Sequence, residues 1–319
     1  MTAVSHSAEL RGAVHASVAK AVVGQGPTID GLLLALLVGG HVLLEGVPGT
    51  AKTLMARALA ATTDARFTRI QFTPDLLPSD IIGTSVYRAD RGEFEFRQGP
   101  IFTDTLLADE INRAPAKTQA ALLEAMEERQ VTADGQSMPL GDRFIVLATQ
   151  NPVEYEGTYP LPEAQLDRFF LKLEVPLPPV DVESAMLRRV DGGFRATDLA
   201  AAGVTATVDE ALLRAARAEV ERVTVSDAVV GYIASITAST RQSPDLSLGA
   251  SPRGAIALLQ GAKALAACSG RDYTTPDDVK DLTVPALRHR LVRRAEAELQ
   301  GVTEVAAVQR AVARVPVPR

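Results

Sequence analysis

Gly46-Val47-Pro48-Gly49-Thr50-Ala51-Lys52-Thr53 follows directly on the apolar run Val42-Leu43-Leu44 and leads into Leu54, Met55, Ala58 and Leu59 at helical spacing. A strand, a Gly-rich turn and a helix in that order form the context of a phosphate-binding loop. Gly46 and Gly49 let the backbone curl so that N–H groups point inward at an anion, and the positive end of the helix adds to that field. In such a loop Lys52 reaches the β- and γ-phosphates and the Thr53 hydroxyl holds Mg²⁺. Ala51 stands where the strict pattern has Gly before the Lys, which a methyl tolerates at helical φ. These residues predict a site for a nucleoside triphosphate.

A second landmark, Thr105-Leu-Leu-Ala-Asp109-Glu110, reads as a buried strand that ends in two carboxylates. Its apolar residues place Asp109 at the carboxyl edge of a parallel sheet, where α/β proteins bind ligands. Strand Phe144–Ala148 likewise ends on polar residues, Thr149-Gln150-Asn151. Helices are expected over 8–22, with Thr28 capping another over 27–37, and strands over 42–45, 67–71 and 171–175. Two alternating runs around Arg88-Ala-Asp-Arg-Gly92 predict a hairpin with Phe94 and Phe96 on one face, and Val131 to Met138 a second one around Asp134-Gly135. Beyond Leu177-Pro178-Pro179 no clear strand follows. Helical stripes cover 211–220, 228–240, 253–268 and 276–292, with Ser251-Pro252 and Thr275-Pro276-Asp277-Asp278 as starts. The chain therefore predicts an α/β domain over 1–179, with an insertion hairpin at about 73–100, and an all-helical domain over 180–319.

Composition bounds the function. The 319 residues are 46% hydrophobic but only 4% aromatic, so the cores are built from Ala, Leu and Val. A net charge of −6 argues against nucleic acid as the main partner, and Arg288-His-Arg-Leu-Val-Arg-Arg294 reads as the solvated side of a helix. The single Cys268, in an apolar helical pattern, excludes a disulfide framework and fits a reducing, cytoplasmic compartment. His6, His15, His41 and His289 show no metal-ligand spacing. No run approaches the roughly 18 apolar residues of a membrane span, and the N-terminus lacks the pattern of a signal peptide.

Taken together, the ordered motifs resemble the MoxR family of AAA+ ATPases over nearly the whole length. The distinctive pieces are the 46–53 loop, Phe72-Thr-Pro-Asp-Leu-Leu-Pro-Ser-Asp80, Gly92-Glu-Phe-Glu-Phe-Arg97, Leu107-Ala-Asp-Glu-Ile-Asn-Arg-Ala114 and Leu122-Leu-Glu-Ala-Met-Glu-Glu-Arg-Gln-Val131. Ala148-Thr-Gln-Asn-Pro152, Leu161-Pro-Glu-Ala-Gln-Leu-Asp-Arg-Phe169 and Ser251-Pro-Arg253 complete the set. Ala51 before the Lys is usual in that family. The resemblance implies an AAA+ P-loop core, a parallel sheet with helices on both faces, followed by an all-helical lid.

It also implies roles. Gly46 through Leu54 cradle ATP, and Val23 and Gly24 contact adenine through backbone. Thr53 and Asp109 hold Mg²⁺, and Glu110 polarises the attacking water. Asn151 corresponds to sensor 1, Arg168 to an arginine finger given to the neighbouring subunit, and Arg253 to sensor 2. Three arginines keep residue-level alternatives: Arg168 as a local partner of Asp167, Arg253 as a cation at an exposed helix start, where it opposes the dipole, and Arg113 as either a second trans contact or a surface residue. Phe94 and Phe96 are either core or client contacts. At the level of the whole protein, the resemblance implies an Mg-dependent ATPase, in a homo-oligomeric ring taken as a hexamer. Its work would be chaperone-like remodelling or activation of a client protein, with a von Willebrand factor A-domain partner. The alternatives are the ATPase subunit of a metal chelatase and an assembly scaffold with little turnover.

Overall fold

The computed structural model describes residues 5–133, 135–152 and 157–318. Its elements run α1 (His6–Val18), α2 (Gly26–Val38), β1 (Val42–Glu45), α3 (Lys52–Thr62), β2 (Phe67–Gln71), α4 (Pro78–Ile82), β3 (Gly83–Arg88) and β4 (Glu93–Gln98). They continue with β5 (Thr105–Asp109), α5 (Ala116–Glu128), β6 (Gln130–Ala133), β7 (Gln136–Pro139), β8 (Ile145–Gln150), α6 (Glu163–Leu166) and β9 (Leu171–Glu174). Then come α7 (Val180–Asp191), α8 (Glu210–Arg222), α9 (Asp227–Arg241), β10 (Leu246–Leu248), α10 (Pro252–Cys268), α11 (Pro276–Leu287), β11 (Val292–Arg293), α12 (Ala295–Leu299) and α13 (Glu304–Ala313).

Five strands form a parallel sheet in the order β2-β5-β8-β1-β9. The near-continuous apolar runs of β1, β5 and β8 are what a strand covered on both faces requires. Successive residues divide between two cores, as the strand period of two dictates. Val42 and Leu44 join one with Leu107, Leu147 and Leu171. Leu43 joins the other with Leu106, Ala108, Val146 and Ala148. The second core is closed by α5 through Leu122, Leu123 and Met126. The first is closed by α2, whose residues Leu32 to Leu37 are all buried.

Hairpin β3–β4 stands out from the sheet, with Tyr87 opposite Phe94 and Ser85 opposite Phe96. The second expected hairpin is β6–β7; its Asp134 lies outside the described residues. The helical part carries the expected caps. Ser251 accepts the Arg253 N–H at 3.1 Å, and Thr275 and Asp278 form a capping box behind Pro276.

Three expectations are corrected. Thr28 does not cap α2: that helix starts earlier, after Gln25, and Thr28 donates to the Gln25 side chain instead. The second part is not purely helical, since Leu246–Leu248 and Val292–Arg293 pair antiparallel. The Arg288–Arg294 stretch is not the wet side of a helix. Helix α11 stops at Leu287, a 3₁₀ turn covers Arg288–Arg290, and His289 and Arg290 are both 5% exposed. Arg290 donates to Asp167 Oδ1 at 2.9 Å and to the carbonyls of Asp167, Phe169 and Phe170, while Arg288 reaches Glu174 at 2.9 Å. Arg288 and Arg290 are thus satisfied by the α/β core, whereas Arg293 pairs with Glu298 and Glu304 of the helical part itself.

Candidate functional site: a phosphate loop and a distant pair of arginines

At the carboxyl edge of the sheet, β1 hands over to the loop at Gly46. A Cβ on Gly46 would lie 2.5 Å from the Val175 carbonyl oxygen, so only glycine fits. Ala51 adopts φ 66°, ψ 19°, the left-handed helical region, and α3 starts at the next residue. For an L-residue with a Cβ that conformation costs roughly 1–2 kcal/mol. The expectation of helical φ at Ala51 is therefore corrected, since the residue lies in the left-handed region just before the helix. Lys52 lies folded over the loop, donating to the carbonyls of Gly46 at 2.6 Å and Val47 at 2.8 Å. Burial lowers its pKa, against the pull of Asp109 and Glu110, which are close enough to raise it. Thr53 occupies the first turn of α3, half-buried.

The two carboxylates of β5 are set differently. Asp109 is buried and accepts from Thr149 Oγ1 at 2.5 Å and from Arg69 Nε and Nη2 at 2.9 and 2.7 Å. Glu110 is turned out of the strand by a left-handed backbone, φ 57°, ψ 50°, with its N–H on Thr149 Oγ1 at 2.8 Å. Its carboxylate accepts from Gln71 Nε2 at 2.6 Å and Arg113 Nη1 at 3.3 Å. Arg113 thus sits on Glu110 of its own chain. Asn151 is buried just beyond β8, next to Gln150, whose carbonyl accepts the Gly46 N–H at 3.3 Å.

Beside the loop, a narrow apolar pocket is lined by Val23, Ala51, Leu54, Met186, Val190 and Phe194. Gly24 has φ +75°, and a Cβ there would lie 2.6 Å from Val182 Cγ1, so glycine lets α7 close over the 22–25 turn. The far wall supplied by α7 was not foreseen. Neither was Arg69-Ile-Gln71 on β2, whose polar residues serve the two carboxylates.

The remaining two expected residues lie elsewhere. Arg168 precedes β9 and Gly39–Gly40 precede β1, so both mark the amino edge of the sheet, where α5 ends at Glu128. The four residues of β1 alone span about 13 Å. There Arg168 Nη2 pairs with Glu127 at 2.9 Å, and Arg253 at the start of α10 pairs with the same carboxylate. The alternative partner, Asp167, is taken by Arg290 and by Ser251 Oγ at 2.8 Å. Arg168 and Arg253 thus line one cleft of about 320 Å³ that includes no phosphate-loop residue.

Donor chemistry fits Mg²⁺. Among the described residues no group of three His, Cys, Asp or Glu side chains could hold a metal by itself. Mg²⁺ needs no such cage, because one carboxylate, a hydroxyl and phosphate oxygens suffice, and Asp109 and Thr53 supply the first two.

Residues 41–171 match the ATPase family associated with various cellular activities (AAA), and residues 238–311 match the AAA lid domain. The chain is 51% identical to YeaC of Bacillus subtilis over 90% of its own length and 88% of that protein. It is 42% identical to Chaperone MoxR1 of Mycobacterium tuberculosis, covering 95% of this chain and 81% of the relative. A crystallised protein from Cytophaga hutchinsonii, assigned as an ATPase, superposes with a TM-score of 0.89 at 42% identity, over 98% of this chain and 97% of that one. An AAA core, its helical lid and a chaperone relative matched over 95% of this chain together make it an ATPase of the MoxR family of AAA+ proteins.

Proposed function

We propose that this ATPase works as a homo-oligomeric ring, a hexamer, in which Mg-ATP bound by one copy is hydrolysed with arginines from the next. The observation that carries the reading is the split between two edges of one sheet. Lys52, Asp109, Glu110 and Asn151 surround the loop, whereas Arg168 and Arg253 share a cleft at the opposite edge. Neither half-site is complete in one chain. Phosphoryl transfer needs neutralisation of a dispersed anion and a lined-up nucleophile, and trans arginines commonly complete the first.

In the reaction, Lys52 leaves the Gly46 and Val47 carbonyls for the β- and γ-phosphates. Adenine lies in the apolar pocket against Val23, Gly24 and Leu54. Thr53 and Asp109 would hold Mg²⁺, which when bound would supply further neutralisation of the phosphate oxygens. Glu110 takes a proton as water oxygen attacks the γ-phosphorus, and the bond to the β–γ bridging oxygen breaks to leave ADP and phosphate. Asn151 orients that water. Gln71 and Arg113 hold Glu110 in place until then. The cycle moves the lid through Ser251 and Arg290, both on Asp167, the neighbour of Arg168.

The work done is chaperone-like remodelling or activation of a client protein, supported by the name of the Mycobacterium tuberculosis relative. A von Willebrand factor A-domain partner and a cytoplasmic setting complete the reading. No described helix is long and apolar enough to cross a membrane.

Mixing inactive variants tests the core of this. Arg168→Ala keeps an intact Glu110, and Glu110→Gln keeps intact arginines. Each should be slowed, the latter by about 10² to 10⁴, the range for a positioned base. Mixed and exchanged, they should recover activity at interfaces that pair the two intact halves. Absence of recovery despite proven subunit exchange would sink the shared site. Absence of phosphate release in the unaltered protein would leave a scaffold.

A further inference from the structure

We infer that Glu127 is a positioning residue for the trans half-site, a carboxylate that holds Arg168 and Arg253 side by side so that both meet one phosphate of the neighbouring copy. This rests on the shared-site reading above. Each oxygen of Glu127 takes one guanidinium: Oε2 forms an ion pair with Arg168 Nη2 at 2.9 Å, and Oε1 accepts a hydrogen bond from Arg253 Nη2. The three side chains come from three separate elements, α5, the turn before β9, and the start of α10.

Without the carboxylate this arrangement opposes itself. Arg253 sits in the first turn of α10, where the helix dipole repels a cation. The cleft also brings in Arg129 and Arg290, so four guanidiniums line it against the carboxylates of Asp167 and Glu127. Asp167 is committed to Arg290 and Ser251. Glu127 is therefore the carboxylate that offsets repulsion between Arg168 and Arg253. Arg168 Nε is buried and has no hydrogen-bond partner among the described residues, so Glu127 supplies that guanidinium's ion pair. One carboxylate across two guanidiniums leaves a net positive charge with unused N–H donors, which suits a phosphate oxyanion. Fixing both long side chains beforehand also removes rotamer entropy that the transition state would otherwise have to overcome.

Glu127→Ala, on a helix whose sequence favours Ala, tests this in the full chain. Loss of alignment should lower kcat by about 10- to 100-fold. The variant's own affinity for ADP, measured with a fluorescent analogue, should stay unchanged, because that site lies at the other edge of the sheet. Glu127→Gln, which cannot accept from both arginines, should fall in the same direction. Mixing supplies the readout that a merely structural role would not move. Glu127→Ala should regain activity with Glu110→Gln but not with Arg168→Ala, which is defective on the same side of the interface. A near-normal kcat, a loss of ADP affinity, or recovery with Arg168→Ala would overturn the role of Glu127. The Arg168→Ala and Glu110→Gln mixture is the control: failure there overturns the shared site and this inference with it. Recovery there, without the Glu127 pattern, overturns this inference alone.

Discussion

Arg69 donates through two nitrogens, at 2.9 and 2.7 Å, to a single oxygen of Asp109. A cation from the edge strand β2 therefore already balances the carboxylate proposed above to hold Mg²⁺. Arg69→Gln should leave Asp109 buried without its charge partner, costing about 1–3 kcal/mol when nucleotide is absent. Mg-ADP should then raise the melting temperature more in the variant than in the unaltered protein. Equal increments in the two proteins would show that Arg69 does not balance that charge.

Ala51 carries backbone strain of roughly 1–2 kcal/mol in its left-handed conformation. Ala51→Gly should relieve it, less the greater freedom glycine has in the unfolded chain, for a net gain of about 0.5–1 kcal/mol. Nucleotide affinity should stay within about threefold, since the loop's N–H groups keep their directions. Destabilisation by the substitution would mean that the methyl makes contacts worth more than the strain.

Phe94 and Phe96 share a face of β4, yet they divide what had been open alternatives. Phe94 is 73% exposed against Tyr87, at a ring separation of 5.3 Å, whereas Phe96 packs edge-on against Phe102 at 6.4 Å. Phe94→Ser should change stability by only about 0.5 kcal/mol, as at other surface sites, while uncoupling ATP hydrolysis from client activation. Phe96→Ser should loosen the hairpin base and raise its amide exchange. Normal client activation by Phe94→Ser would remove the contact role.

Acid should destabilise the fold earlier than its carboxylates alone would dictate. His41 is fully buried between the Val146 N–H, which donates to its Nδ1 at 2.9 Å, and the Met126 carbonyl at 3.1 Å. Burial, with Arg129 nearby, lowers its pKa to about 4. A histidine depressed on folding contributes stability that is full above the unfolded value near 6.5 and falls as pH drops toward the folded one. The loss between those limits is about 3 kcal/mol for His41. His289, lowered by burial and by Arg290, acts in the same direction. Denaturant midpoints taken from pH 7.5 to 4 should drop across this window, and less steeply in His41→Gln. An unchanged slope in that variant would exclude His41 as the source.

How far the sequence reveals the site depends on how local its contacts are. The phosphate loop, the acids after β5 and the caps at Ser251 and Thr275 were legible because spacing within one segment sets them. Arg69 and Gln71 were not, since on an edge strand a polar side chain that reaches a neighbouring strand reads the same as one that faces water. Glu127 stayed one acid among several on α5 until the fold brought Arg253 to it from 126 residues away. The same reason misplaced Arg288-His-Arg290. Charge in a sequence does not say whether water or a distant carboxylate will satisfy it.

That misplaced stretch supplies the strongest stability prediction. Arg290 is 5% exposed and meets Asp167 at 2.9 Å, and burial lowers its pKa to about 10 against the attraction of that carboxylate. Asp167 also accepts Ser251 Oγ at 2.9 and 2.8 Å, so two parts of the lid grip one residue beside Arg168. Arg290→Met removes the cation but leaves Asp167, and the carbonyls of Phe169 and Phe170, short of donors. Breaking one side of such a buried pair costs about 3–5 kcal/mol. The double variant with Asp167→Asn should recover part of that loss, because it no longer strands a charge. The cost should also reach function, since Arg168 follows Asp167 in the chain. Arg290→Met should keep nucleotide affinity at the loop and lose turnover. In mixtures it should regain activity with Glu110→Gln, as a variant defective in the arginine half would. A melting temperature within a degree or two of the unaltered protein would show that the lid is held by its apolar contacts and that this ion pair is incidental.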